Sequence, residues 1–218
     1  MNNPLGINIQ VGTGFGWGIV ALNLVLEFCK SGTVCPVLTL PPGDLDLDST
    51  TETLLGKAAR GWLSILEFYE KYPDQAYIVD FPVLFCGGNF FQHRMTIGTS
   101  CERYSITVFE NSNLGERTDE EKDHFHKILA GSQWNAEILK SQGFHNVGVW
   151  NQGVDIELFC PGPARELQSD KFLIFSGGKL EFRKGQDLVV AAFRIFQERH
   201  ADAMLITAWD SPWAHLGA

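Results

Sequence analysis

The chain has 218 residues, 44% of them hydrophobic and 20% charged, with a formal net charge of -9. This composition excludes a disordered or low-complexity chain, and the acidic balance argues against a general nucleic-acid binder, which carries a basic face. No apolar run approaches the ~20 residues that span a bilayer, and the start of the chain lacks a basic n-region and a cleavage pattern; a cytoplasmic protein without a transmembrane segment is expected, with peripheral membrane contact left open.

In chain order, Ile7 to Val11 suits a buried strand, followed by a glycine-rich stretch, Gly12 to Gly18. A helix is predicted over Ile19 to Cys29 with Val20, Leu24 and Phe28 on one stripe. Val34 to Leu40 reads as a strand stopped by Pro41 and Pro42. The longest helical segment, residues 51 to 72, carries Leu54, Leu55, Ala58, Leu66 and Tyr69 on its apolar side, with Gly56 and Gly61 weakening it. Ala76 to Phe81 and Tyr104 to Phe109 read as strands, with an irregular stretch between them from Cys86 to Ser100. Arg117 to His126 has a polar, helical composition.

Lys127 to Gly131 predicts a strand running into Ser132, an N-cap for a helix over Gln133 to Gln142 that Gly143 terminates. Asn146 to Trp150 is a further strand. Strand and helix alternate throughout, which predicts an α/β fold with a parallel sheet covered by helices on both faces. Residues 153–170, with Pro161, Gly162 and Pro163, read as a linker. Beyond it come a strand from Phe172 to Phe175, a helix from Gly185 to Arg199 and a strand from Ala203 to Ala208. A single β-α-β unit cannot cover both faces of its sheet, so the expectation is a first domain over 1–152 and the incomplete start of a second over 171–218.

The cysteines, Cys29, Cys35, Cys86, Cys101 and Cys160, form no C-x-x-C pair. They read as small core residues in a reducing compartment, with spacings unsuited to zinc. The six histidines are scattered. On a helix, His124 and His126 would point to different sides, which argues against a shared metal.

Two loops carry candidate chemistry. Gly12, Gly14, Gly16 and Gly18 alternate between a strand and a helix, where backbone approaches a ligand closely and helix N–H groups are unpaired. A phosphate or a sugar hydroxyl fits there; the plainer reading is a tight turn packing helix on sheet. The dinucleotide fingerprint fails, because its third glycine would stand at Trp17 or Ile19. The second strand also ends in prolines and not in a ribose-binding acid. A nicotinamide-dependent oxidoreductase is thereby disfavoured. The second loop, Ser176 to Gly185, holds Gly177, Gly178, Lys179, Arg183 and Lys184 before a helix. This suits a diphosphate, against the plainer reading of a solvated charged loop. Glu110, just past a strand's carboxyl end, is a possible cleft residue or a plain loop acid. Trp134, Trp150, Trp209 and Trp213 could stack on sugars, although buried packing is the commoner use.

The stretch Gly178-Lys179-Leu180, Arg183-Lys184-Gly185-Gln186-Asp187-Leu188 and Ala191-Ala192-Phe193 resembles the opening of the donor domain in glycosyltransferase family 4 of the GT-B fold. Ala130 to Asn135, and Asn151-Gln152-Gly153-Val154-Asp155 with Phe159-Cys160-Pro161, resemble the end of that family's first domain and its interdomain connection. The resemblance implies two Rossmann-like domains and transfer of a hexose-like sugar from a nucleoside-diphosphate sugar. The acceptor would be an unidentified sugar, lipid or protein, the configuration would be retained, and there would be no cofactor, essential metal or nucleic-acid partner. By the same resemblance Gly178, Lys179 and Lys184, with Gly14 and Gly16 from the first loop, bind the donor diphosphate. Lys179 stands where the family usually has Arg, keeping the charge and losing the bidentate fork. His93 is a candidate for the family's donor-side histidine, and the catalytic residue is unassigned. The family's later pair of glutamates would fall beyond Ala218, so a truncated, catalytically silent binding module of the same ancestry is the alternative.

Overall fold

The computed structural model describes residues 3–88, 97–115, 121–162 and 170–210. They form two compact units, Met1–Val154 and Asp155–Ala218.

The first unit is α/β, built on a six-stranded, wholly parallel, Rossmann-like sheet. Its strands are β1 (Pro4–Asn8), β2 (Cys35–Leu38), β4 (Val83–Gly87), β6 (Arg103–Thr107), β7 (Lys127–Ala130) and β8 (Val147–Val149). They lie in the order β2-β1-β4-β6-β7-β8. Two short strands, β3 (Tyr77–Val79) and β5 (Ile97–Thr99), pair in a separate parallel ribbon. Helices α1 (Gly16–Ser31), α2 (Ser49–Lys71) and α3 (Gln133–Ser141) pack around the main sheet.

Alternation along the strands divides the interior into two cores. Ile7, Leu38, Leu84 and Ile106 meet Ala21, Leu22 and Val25 of α1 on one side. Val83, Phe85, Ile128 and Ala130 meet Ala136 and Leu139 of α3 on the other. The expected parallel sheet with helices on both faces is therefore present in this unit.

The differences from the sequence expectations have physical reasons. The first strand is Pro4–Asn8, because its pairing runs from Pro4 opposite Cys35 to Asn8 opposite Phe85. Ile9 and Val11 are buried beyond the strand's end. Helix α1 begins inside the glycine stretch, and its buried stripe is Gly18, Ala21, Leu22 and Val25 instead of Val20, Leu24 and Phe28. A helix apolar on nearly every side leaves its periodicity ambiguous, and the small residues win because they admit the closest approach to the sheet. In α2, Gly61 lies so near β2 that an added Cβ would stand 2.2 Å from Val37 Cγ1, while Gly56 faces open space. Leu66 of α2, expected on the apolar side, is exposed. β4, a central strand absent from the sequence reading, occupies part of the stretch taken as irregular. Of the polar segment Arg117 to His126, residues 117–120 lie outside the described residues. In the described remainder Glu121 is helical and Lys122 to His124 form a turn, with His124 N–H donating to Glu121 O at 3.2 Å.

Ser132 caps α3, its Oγ accepting from Asn135 N–H at 3.1 Å. Gly143 takes the left-handed conformation at φ 91° just past the end of that helix.

In the second unit, β9 (Phe172–Lys179) and β10 (Ala203–Asp210) form a parallel pair joined through a 3-10 turn (Phe182–Lys184) and helix α4 (Gln186–Gln197). β9 runs four residues beyond the expected Phe175, through both glycines to Lys179, because each of these residues has a partner on β10. Ala203 is the single buried residue among the described residues of 170–210.

Candidate functional site

In the first unit the chain runs from β1 outward to β2, then returns past β1 to β4. This reversal opens a crevice outside the carboxyl ends of β1 and β4, the place where open α/β sheets bind ligands. The glycine stretch enters at that point. Its four glycines divide into two kinds. A Cβ on Gly12 would stand 2.7 Å from the Phe15 ring, and one on Gly18 would stand 2.7 Å from Gly12 O, so these two let the loop fold on itself. Gly14 and Gly16 have nothing within 4 Å of an added Cβ, and neither has a positive φ. Neither packing nor backbone conformation demands glycine at 14 or 16, and their faces are open to a ligand.

The loop is braced by the one after β2. Gly43 N–H donates to Val11 O at 2.8 Å and Thr13 N–H to Asp44 O at 3.1 Å. Thr13 Oγ1 also donates to Asp44 O, at 3.2 Å, and accepts from Asp46 N–H at 3.4 Å. Below the crevice, Asn8 Nδ2 donates to Thr39 Oγ1 at 2.9 Å between two buried side chains. Phe15 is the N-cap of α1, which has no side-chain cap and no acid in its first turn. The first N–H groups of the helix therefore lack a side-chain acceptor, and its positive end is uncompensated locally. Sequence reasoning missed the Asn8–Thr39 pair; its signal was a polar residue inside each of two apolar runs, Asn8 in Ile7 to Val11 and Thr39 in Val34 to Leu40.

Glu110 lies at the same edge of the sheet, past β6, exposed in a loop whose preceding carbonyl, Phe109 O, accepts from buried Asn135 Nδ2 at 3.0 Å. β4 separates it from the glycine loop. His93 and Trp213 lie outside the described residues. Trp134 is exposed and leans on Phe109, Trp150 packs against the α1-side core, and Trp209 Nε1 donates to Ser176 Oγ at 3.1 Å.

In the second unit, Gly178 and Lys179 are strand residues and not loop residues, which corrects the sequence expectation. Gly178 has φ 138°, a conformation that favours glycine, with open space around it. Lys179 ends β9 opposite Asp210, and Gln186 Nε2, from the first turn of α4, donates to Lys179 O at 2.5 Å. Exposed Lys184 directly precedes Gly185, the left-handed N-cap of α4 at φ 65°. No side chain caps this helix. Thus Gly178, Lys179 and Lys184 are gathered at one helix N-terminus, a setting that attracts anions. Two neighbours temper the charge. Arg183 Nε is paired with Glu181 Oε2 at 3.0 Å, and Asp187 stands in the first turn of α4.

A groove of about 550 Å³ opens at the opposite, amino-terminal edge of the first unit's sheet, lined by Ser100, Cys101, Glu102, Arg103, His124 and His126. The two histidines share it because they sit in a turn and not on a helix. His124 Nδ1 lies 3.3 Å from Glu121 Oε2, and His126 meets the Tyr104 ring edge-on. Among the described residues no three His, Cys, Asp or Glu converge to hold a metal. The cysteines also depart from expectation. Burial pushes the Cys86 thiol up to about 12, as befits a core residue, but Cys35, Cys101 and Cys160 are exposed. No described helix is long and apolar enough to cross a membrane.

Compared with known protein-family models and with curated proteins, the chain matches none.

Proposed function

We propose that this chain belongs to a GT-B glycosyltransferase of the family 4 kind, with Gly178, Lys179 and Lys184 holding the diphosphate of a nucleoside-diphosphate sugar. The entry to α4 carries the reading. A strand-end lysine, a lysine beside the N-cap and an uncapped helix N-terminus fall within one short connector, tied together by Gln186 on Lys179 O. As the bond between sugar and phosphate breaks, negative charge gathers on the leaving diphosphate. Cations and N–H donors already in place stabilise that charge without reorganising. The order and spacing of the motifs from Ala130 to Phe193 support the family assignment.

The Gly14–Gly16 face supports a second ligand surface at the sheet's switch point. Asp44 and Asp46 are exposed in the loop that braces it, and carboxylates repel a phosphate more than they repel a hydroxyl. That loop therefore suits the hydroxyls of a sugar, lipid or protein acceptor, and Glu110 at the same edge suits contact with it. The reading requires no cofactor and no essential metal.

Calorimetric titration with UDP and GDP tests the diphosphate site. The wild-type chain is expected to bind at least one of them, and Lys179→Ala/Lys184→Ala to weaken binding by roughly ten-fold or more per lysine, since a hydrogen bond to a charged group contributes about 1.5–3 kcal/mol. Equal binding by the double variant, or no binding of either nucleotide by the wild type, overturns the assignment.

A further inference from the structure

We propose that Cys29 and Cys35 form a reversible dithiol–disulfide pair, closed by a peroxide-class oxidant, that pins the carboxyl end of α1 to the edge strand β2. Both cysteines line one half-open cavity of about 230 Å³, bounded by the end of α1, the start of β2 and Leu54, Lys57 and Ala58 of α2. None of the other three cysteines lines it. Cys29 closes the last turns of α1, where its Sγ donates to Leu54 O at 3.8 Å. Cys35 is the first residue of β2, exposed, with its backbone N–H fixed on Asn3 O at 2.8 Å. Between them the chain reverses at Gly32, which sits at φ 65° with its N–H on Phe28 O. The turn carries the second thiol back to the cavity that holds the first.

The two sulfurs differ in a way that sets their order of reaction. Burial first, and then the nearby Cys35, hold the Cys29 thiol above its ordinary range, while Lys57 pulls the other way. Cys29 thus stays protonated and sheltered, and exposed Cys35 meets the oxidant first. The Cys35 thiolate attacks one oxygen of hydrogen peroxide, the O–O bond breaks, and the departing hydroxide takes up the thiol's proton as water. Cys35 is left as a sulfenic acid. The Cys29 sulfur then attacks the Cys35 sulfur, the S–O bond breaks, and the hydroxide leaves with the Cys29 proton as a second water. Two thiols lose two electrons and one peroxide gains them.

The test uses the reduced full chain, treated with hydrogen peroxide, alkylated with N-ethylmaleimide and digested with trypsin. Cleavage after Lys30 divides residues 1–30, which contain Cys29, from residues 31–57, which contain Cys35. The two peptides therefore travel together only when bridged. The expected result is a linked 1–30/31–57 species lighter by two hydrogen atoms than the sum of its reduced peptides. Alkylation of both thiols should be lost and then restored by dithiothreitol, and Cys35→Ser should abolish the link. A Cys101→Ser/Cys160→Ser chain, which removes the other exposed thiols, should link in the same way. Cys29 that remains fully alkylatable after Cys35 has been consumed, or a link that joins Cys35 to any other cysteine, overturns the proposal.

Discussion

Gly56 and Gly61 lie less than two turns apart in α2, yet their substitution by alanine should have opposite effects. Gly56 is exposed, with no neighbour for a Cβ, so alanine restores helix propensity and should raise stability by about 0.5–1 kcal/mol. At Gly61 the new Cβ would stand 2.2 Å from β-branched Val37, and overpacking of that kind costs about 1–3 kcal/mol. Urea unfolding of both variants should show midpoints displaced in opposite directions. Asp48 gives a second residue-scale expectation. Its Oδ1 accepts from Thr50 and Thr51 N–H at 2.9 and 3.0 Å, and its Oδ2 accepts from Thr51 Oγ1 at 2.5 Å. These bonds, led by the Thr51 hydroxyl, hold its carboxyl below the ordinary range. The cap's charge-dependent contribution is therefore complete above the ordinary carboxylate value and is lost as pH falls through the depressed folded one. Melting temperatures followed from about pH 7 to pH 2 should fall less steeply on the acid side in Asp48→Asn, which still caps, than in the wild type. Capping by Ser132 and termination by Gly143 were legible in the sequence because both are local signals at the two ends of one periodic segment. Asp48 was not, standing last in a row of alternating acids with no mark of its own.

At the scale of elements, the sequence revealed a strand that runs directly into a clear helix and concealed two, β4 and β5, that do not. β7, preceding α3, came within one residue of its observed end. β4 sits behind Pro82; Val83 to Phe85 were left unassigned, and Cys86 and Gly87 fell in the stretch read as irregular. The eight residues of β9 likewise exceeded the expected four, because ladder pairing with β10 outweighs the weak strand preference of Gly177 and Gly178. The candidate anion site inherits this shift, since Lys179 is held by a strand end and a helix start together. Asp187 in the first turn of α4 already meets part of that helix's positive end. Under the proposed function, Asp187→Asn should tighten UDP or GDP binding by roughly two- to five-fold, corresponding to about 0.3–1 kcal/mol of helix-end electrostatics. Calorimetry reads this directly, and an unchanged or weaker affinity would count against an anion at this terminus.

Across the whole molecule, the two units differ in how much they bury. The first has two cores, one on each face of its sheet. In the second, Phe175, Phe182, Leu188 and Ile195 are exposed by 69, 97, 70 and 62%. Such apolar surface binds hydrophobic dyes and promotes association. A chain ending at Val154 should keep a cooperative melt and bind markedly less anilinonaphthalene sulfonate than the full chain; equal dye binding would show that this surface is covered in solution. The α/β class of the first unit was legible because alternation of elements is a sequence property. The strand order that creates its crevice was not, since it depends on which edge each distant strand joins. That order also sets a timetable for the nascent chain. β1 can pair with β2 soon after both leave the ribosome, but its other edge belongs to β4. Roughly 45 residues separate β2 from β4, so at the usual pace of synthesis that edge waits roughly 2 to 9 s for its partner. During that interval a bare strand edge made of Gly6, Ile7 and Asn8 is available to any passing extended chain, and a holdase that covers it should raise the soluble yield more than one acting after β4 has emerged.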